Sequence, residues 1–170
     1  GRVIIDVARY PNMWEAGSTE FDAKANLWRW EIDTVAGRVT ETQLDDRPIE
    51  FGRIADDRVG LKYRFGYAVG SKGDSSDPQA GTIVKYDFDT GNSLAWDFGE
   101  GQDPGEFVFV KRPGSTDEDD GWLMGYVYDR SRDGSALLIL DAADPGSEPV
   151  AEVLLPQRVP FGFHGSWIWA

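Results

Sequence analysis

Apolar positions along this chain show almost no helical spacing. They fall instead in short runs rich in Val, Ile, Phe, Tyr and Trp, cut apart by 20 glycines and 9 prolines. The pattern predicts β-strands over 3–10, 26–32, 39–44, 49–54, 63–69, 82–88, 94–98, 106–110, 122–128, 136–141, 150–155 and 161–167. Turn signals separate them, among them Thr90-Gly91-Asn92, Pro113-Gly114-Ser115, Asp133-Gly134 and Asp144-Pro145-Gly146. Gly supplies positive φ in such turns and Pro presets φ near −65°.

The strand ends carry a repeat. Trp30-Glu31-Ile32-Asp33, Lys85-Tyr86-Asp87 and Ile139-Leu140-Asp141 each run into a Gly-containing turn, and their aspartates stand 54 residues apart. A period near fifty residues with about four strands in each is the signature of β-propeller blades. The fold class is therefore all-β. Residues 49–98 and 106–155 form two complete blades, 3–44 form a blade lacking its first strand, and 161 onward begins a fourth unit. A propeller closes into a ring to protect its edges, so these blades are expected to be part of a larger one. The start Gly1 to Asp6 has no initiator Met and no signal-type segment, and it enters a strand directly. It reads as cut from something longer.

In a propeller the first strand of each blade lines the central channel. Those strands carry Glu50, Glu106 and His164 near equivalent places, 56 and 58 residues apart. Converging ionisable groups mark a candidate site.

Charge and composition narrow the chemistry. Lys and Arg number 17 against 30 Asp and Glu, a net charge of −13 with no basic cluster, which argues against nucleic acid as a partner. Hydrophobic residues at 41%, including 7 Trp, 6 Tyr and 9 Phe, suffice for a folded core. Cysteine is absent, which excludes disulfides, thiolate metal sites and a Cys nucleophile. His164 is the only histidine, so this chain cannot build a His-rich metal site by itself. The longest unbroken apolar run, 136–140, is far too short for a transmembrane helix.

The segments Arg158-Val159-Pro160-Phe161-Gly162-Phe163-His164-Gly165-Ser166-Trp167, Glu118-Asp119-Asp120-Gly121-Trp122-Leu123 and Leu138-Ile139-Leu140-Asp141-Ala142 closely resemble the C-terminal part of the carotenoid cleavage oxygenases. That family includes stilbene-cleaving dioxygenases and the retinal pigment epithelium isomerase. Asp6-Val7-Ala8-Arg9-Tyr10-Pro11, Ile49-Glu50-Phe51-Gly52-Arg53-Ile54, Tyr63-Arg64-Phe65-Gly66-Tyr67 and Gly105-Glu106-Phe107-Val108-Phe109-Val110 resemble further family segments in the same order. Gly52 stands where the family commonly has Pro.

The resemblance implies a seven-bladed propeller, of which this chain supplies about three four-stranded blades. It also implies a non-haem Fe(II) on the axis, bound by four histidines, three of them with glutamate partners. The last ligand maps onto His164, and two of the glutamates map onto Glu50 and Glu106. The other ligands would lie in N-terminal blades that this chain lacks and needs. The implied reaction adds O2 across one double bond of an apolar polyene (a carotenoid or apocarotenoid) or of a stilbene, giving two carbonyl products. A glutamate suits the outer position because it accepts the free N–H of a ligating imidazole and fixes its tautomer. The expected location is cytoplasmic, with peripheral membrane contact for the complete protein. The contrasting reading is a metal-free propeller module for binding or structure.

Other features have plainer readings. The run Asp117-Glu118-Asp119-Asp120-Gly121 matches part of a Ca2+ loop but lacks the closing Glu, and is expected to be a solvated turn. Glu50 and Glu106 as a glycosidase pair find no other support. The tryptophans are expected to pack between blades, with Trp167 and Trp169 closing the ring.

Overall fold

The computed structural model describes residues 1–11, 24–71 and 81–168. Eleven strands are found among them: β1 (Arg2–Arg9), β2 (Asn26–Asp33), β3 (Arg38–Asp45), β4 (Ile49–Arg53), β5 (Phe65–Ser71), β6 (Gly81–Asp87), β7 (Asn92–Asp97), β8 (Gln102–Lys111), β9 (Gly121–Asp129), β10 (Gly134–Asp141) and β11 (Ala151–Leu154). They form three antiparallel sheets, ordered β1-β2-β3, β4-β5-β6-β7 and β8-β9-β10-β11. These are successive blades of a β-propeller, and the first has three strands among the described residues. No helix there is long and apolar enough to cross a membrane.

The 54-residue repeat has a physical basis. Asp33 ends β2, Asp87 ends β6 and Asp141 ends β10. Each side-chain Oδ1 accepts backbone N–H bonds from the following turn: from Val35 and Ala36 at 2.9 and 2.8 Å, from Asp89 and Thr90 at 3.1 and 3.3 Å, and from Ala143 at 2.8 Å. Aspartate recurs because a short acceptor can satisfy the turn's own amides. The same alignment makes β1 the counterpart of β5 and β9, the second strands of the complete blades.

Packing between sheets follows from strand composition. β5, Phe-Gly-Tyr-Ala-Val-Gly-Ser, is buried along nearly its whole length because both its faces are covered. Tyr67 and Val69 pack with Ile83 against Phe107, Phe109, Leu123, Val127 and Leu140 of the third blade. Ala68, Val84 and Tyr86 point the other way, toward Leu27 of the first blade. Tyr67 and Phe109 stack at 5.8 Å, and the Tyr67 hydroxyl donates to the Ala142 carbonyl at 3.1 Å. At Gly146 the Trp96 indole lies where a Cβ would stand, so the 144–146 turn can seat on the second blade only with glycine there.

The acidic run differs from the solvated turn expected of it. Glu118 Oε1 accepts the backbone N–H groups of Arg64 and Phe65, at 2.6 and 2.8 Å, and Glu118 pairs with Arg58 at 3.7 Å. Asp119 pairs with Lys85 at 2.6 Å, and Lys85 also donates to the Ala143 carbonyl. These carboxylates clasp the third blade to the second. Their like charges stay together because cations and amides of the next sheet face them.

Residues 161–167 are not a strand. The segment is apolar enough for one, but a strand needs a neighbour to share its ladder, and no partner strand is described beside it. Its Gly165 amide and carbonyl bond to side chains instead, those of Glu106 and Arg53. Trp169 lies outside the described residues.

Candidate functional site

The first strands of both complete blades break register at their glutamates. In β4 the pairing with β5 shifts between Glu50 and Arg53, and in β8 the pairing with β9 shifts between Pro104 and Phe107. A bulge re-aims the side chains beside it. The first bulge holds Phe51 at φ 55°, a left-handed conformation that costs a non-glycine residue about 1–3 kcal/mol. Beneath the second, a Cβ on Gly125 would meet the Phe107 ring at 2.7 Å and the Glu106 carbonyl at 2.8 Å. Glycine there lets β9 approach the bulge closely.

Glu106 and His164 are in contact, with His164 Nδ1 at 3.2 Å from Glu106 Oε1. The Glu106 side chain is only 6% exposed, whereas that of His164 is 75% exposed. The carboxylate has further partners. Arg53 Nε donates to Oε1 at 2.8 Å and the Gly165 amide donates to Oε2 at 2.5 Å. Arg53 Nη2 also donates to the Gly165 carbonyl at 2.5 Å. Burial by itself raises the Glu106 carboxyl, but the Arg53 guanidinium, the Gly165 amide and the His164 ring outweigh it and hold the group below its ordinary value. An ionised carboxylate only accepts, so Nδ1 of a neutral His164 carries the proton and Nε2 keeps its lone pair.

Glu50 makes no described hydrogen bond to His164. Burial pushes its carboxyl up, against the Phe51 amide and the His164 ring, which favour the ionised form. Phe51 presents its ring edge-on to the imidazole at 6.0 Å. Glu106 and His164 are thus joined directly, and Glu50 stands at the margin of the pair.

Sequence reasoning missed Arg53. It lies inside the segment Ile49-Glu50-Phe51-Gly52-Arg53-Ile54, but an arginine at a strand end reads as a surface charge. No signal in the sequence shows that the bulge turns it toward the next blade. Among the described residues no group of three or more His, Cys, Asp or Glu side chains is placed to hold a metal ion. His164 is the one imidazole available. Its Nδ1 oriented by an ionised glutamate and its exposed ring fit a single ligand of a nitrogen-donor centre.

The chain matches the family model described as retinal pigment epithelial membrane protein over residues 1–169. It is 40% identical over 171 residues to a carotenoid cleavage oxygenase of Mycobacterium tuberculosis, covering 97% of this chain and 34% of that protein. It is 32% identical over 175 residues to the apocarotenoid-15,15'-oxygenase of Synechocystis, covering 98% and 36%. The crystal structure of cobalt-substituted Synechocystis ACO superposes with a TM-score of 0.90 at 32% identity, over 100% of this chain and 37% of that one. The chain therefore spans about a third of the length of these relatives.

Proposed function

This chain belongs to the carotenoid cleavage oxygenases, the family of the retinal pigment epithelial membrane protein, and on that premise we propose that it is the C-terminal part of a non-haem iron dioxygenase. The whole of 1–170 is then the last blades of a single propeller domain, and preceding blades supply the remaining metal ligands. The substrate is a carotenoid or apocarotenoid, the class that the relatives' names indicate. The reaction balances with O2 alone, since one carbon–carbon double bond breaks and two carbonyl groups form. The proposed location is cytoplasmic with peripheral membrane contact, because a polyene substrate partitions into lipid.

His164 Nε2 would hold the metal, and a bound Fe(II) supplies the one-electron chemistry that lets O2 react with the double bond. The protein's own part is orientation. Glu106 fixes the tautomer and direction of the His164 ring, and its burial keeps water from competing for Nδ1. Glu50, whose carboxyl is raised by burial, adds negative charge beside the ring when ionised. Phe51 sets an apolar ring against the imidazole at 6.0 Å.

The observation that carries this reading is the bond between His164 Nδ1 and a buried carboxylate. Its test is iron content and cleavage in the full-length protein after anaerobic Fe(II) loading, with His164→Ala alongside. About one iron per parent chain, with both iron and cleavage lost in the variant, is the expected result. A parent that takes up no iron would point to a metal-free propeller module instead. Equal iron and turnover in the two proteins would remove His164 from the site. Apocarotenoid, carotenoid and stilbene substrates in parallel assays identify the class cleaved.

A further inference from the structure

The segment that carries His164 has no strand ladder to hold it. Residues 161–168 run as irregular chain, and the His164 side chain is largely exposed. At His164 and Gly165 this stretch is held by a closed set of bonds around Glu106. Arg53 donates one bond to the Glu106 carboxylate and a second to the Gly165 carbonyl, while the Gly165 amide donates to the other carboxylate oxygen. The residue next to the imidazole is therefore gripped at both its amide and its carbonyl, and Arg53 joins the two sides of that grip. It comes from β4, Glu106 from β8, and Gly165 from the chain beyond β11. One guanidinium thus ties three separate segments together.

Geometry explains why arginine stands here. Its planar fork donates from Nε and Nη2 in fixed directions, one toward a carboxylate and one toward a backbone carbonyl, which a lysine ammonium cannot reproduce. Arg53 and His164 meet on the same oxygen, Glu106 Oε1. Its side chain is about three-quarters buried, and the bulge in β4 aims it away from solvent.

We propose that Arg53 is a positioning residue for His164, setting the imidazole through Glu106 and the Gly165 backbone so that the metal is bound tightly and in one geometry. This rests on the reading of His164 as a metal ligand. In the full-length protein, Arg53→Ala is expected to weaken Co2+ affinity about 10- to 100-fold, the range for changes in groups that orient a ligand. The visible absorption bands of the Co2+-loaded protein are expected to shift, because the ligand field follows the ring. Arg53→Lys keeps the charge and one donor, and is expected to recover part of the affinity.

Anaerobic Co2+ competition titrations, with His164→Ala as benchmark and urea unfolding of each apoprotein, separate the possibilities. If the parent and His164→Ala bind Co2+ alike, the ligand reading itself fails. If His164→Ala loses the metal while folded Arg53→Ala keeps parental affinity and spectrum, the positioning role is overturned. Should Arg53→Ala not fold, Arg53→Lys decides: affinity about threefold or more below the parent supports the proposal, and parental affinity with an unchanged spectrum overturns it.

Discussion

Glu106 has two oxygens and three charged or polar partners, and that arithmetic sets its sensitivity. Oε1 is shared by Arg53 and His164, and Oε2 takes the Gly165 amide. Replacement by Gln keeps the size, but the amide nitrogen can no longer accept and the charge is gone. Either the Gly165 amide or the Arg53–His164 side then loses its acceptor. We expect Glu106→Gln in the full-length protein to lose about 10- to 100-fold in metal affinity or cleavage rate, as for other partners of ligating histidines. Activity within twofold of the parent, measured on an apocarotenoid, would argue that Glu106 serves only packing. The pair itself was legible in the sequence, because one-blade spacing sets Glu106 and His164 side by side. Glu50 shares the spacing, but no hydrogen bond from it to the imidazole is described, and burial pushes its carboxyl up. Arg53 was not legible, since its role depends on a backbone irregularity that residue type does not announce.

At the scale of elements, sequence and structure agree where a bond is local. The turn aspartates bond to amides two or three residues on, so their spacing shows directly in the chain. They diverge where the partner is distant. Residues 161–167 have strand composition without a strand beside them, and the acidic run finds its cations and amides on a neighbouring sheet more than thirty residues away. Glu118 is the informative case, since it accepts the amides that precede and open β5. Glu118→Ala would leave both N–H groups without this acceptor, the Phe65 amide in a part-buried place. The expected loss is about 1–3 kcal/mol of unfolding free energy. Urea unfolding of the full-length protein checks it, and a change under about 0.5 kcal/mol, the level of ordinary surface substitutions, would return the run to the status of a solvated turn.

At the scale of the molecule, β1 shows what the described blades lack. By the aspartate alignment it corresponds to β5 and β9, which lie inside four-stranded sheets and are mostly buried. Yet β1 stands at the edge of its sheet, with Val3, Ile4 and Ile5 exposed by 46%, 44% and 39%. An apolar strand with an open ladder edge is a template for association. A groove of about 680 Å3 runs beside it, lined by Val3, Ile5, Leu61 and Tyr63 among others. The 170 residues expressed alone are therefore expected to self-associate, to bind no stoichiometric Fe(II) and to cleave neither a carotenoid nor a stilbene. The metal argument is independent of the edge, because one imidazole cannot make a nitrogen-donor centre. Light scattering after size exclusion reports the association, and iron analysis after anaerobic loading reports the site. Adding the proposed preceding blades, covalently or as a second chain, is expected to give monodispersity by pairing β1 and metal binding by supplying the other ligands. A monomeric fragment holding one iron per chain would mean that these blades are self-sufficient and that the ligands lie among residues other than His164 alone.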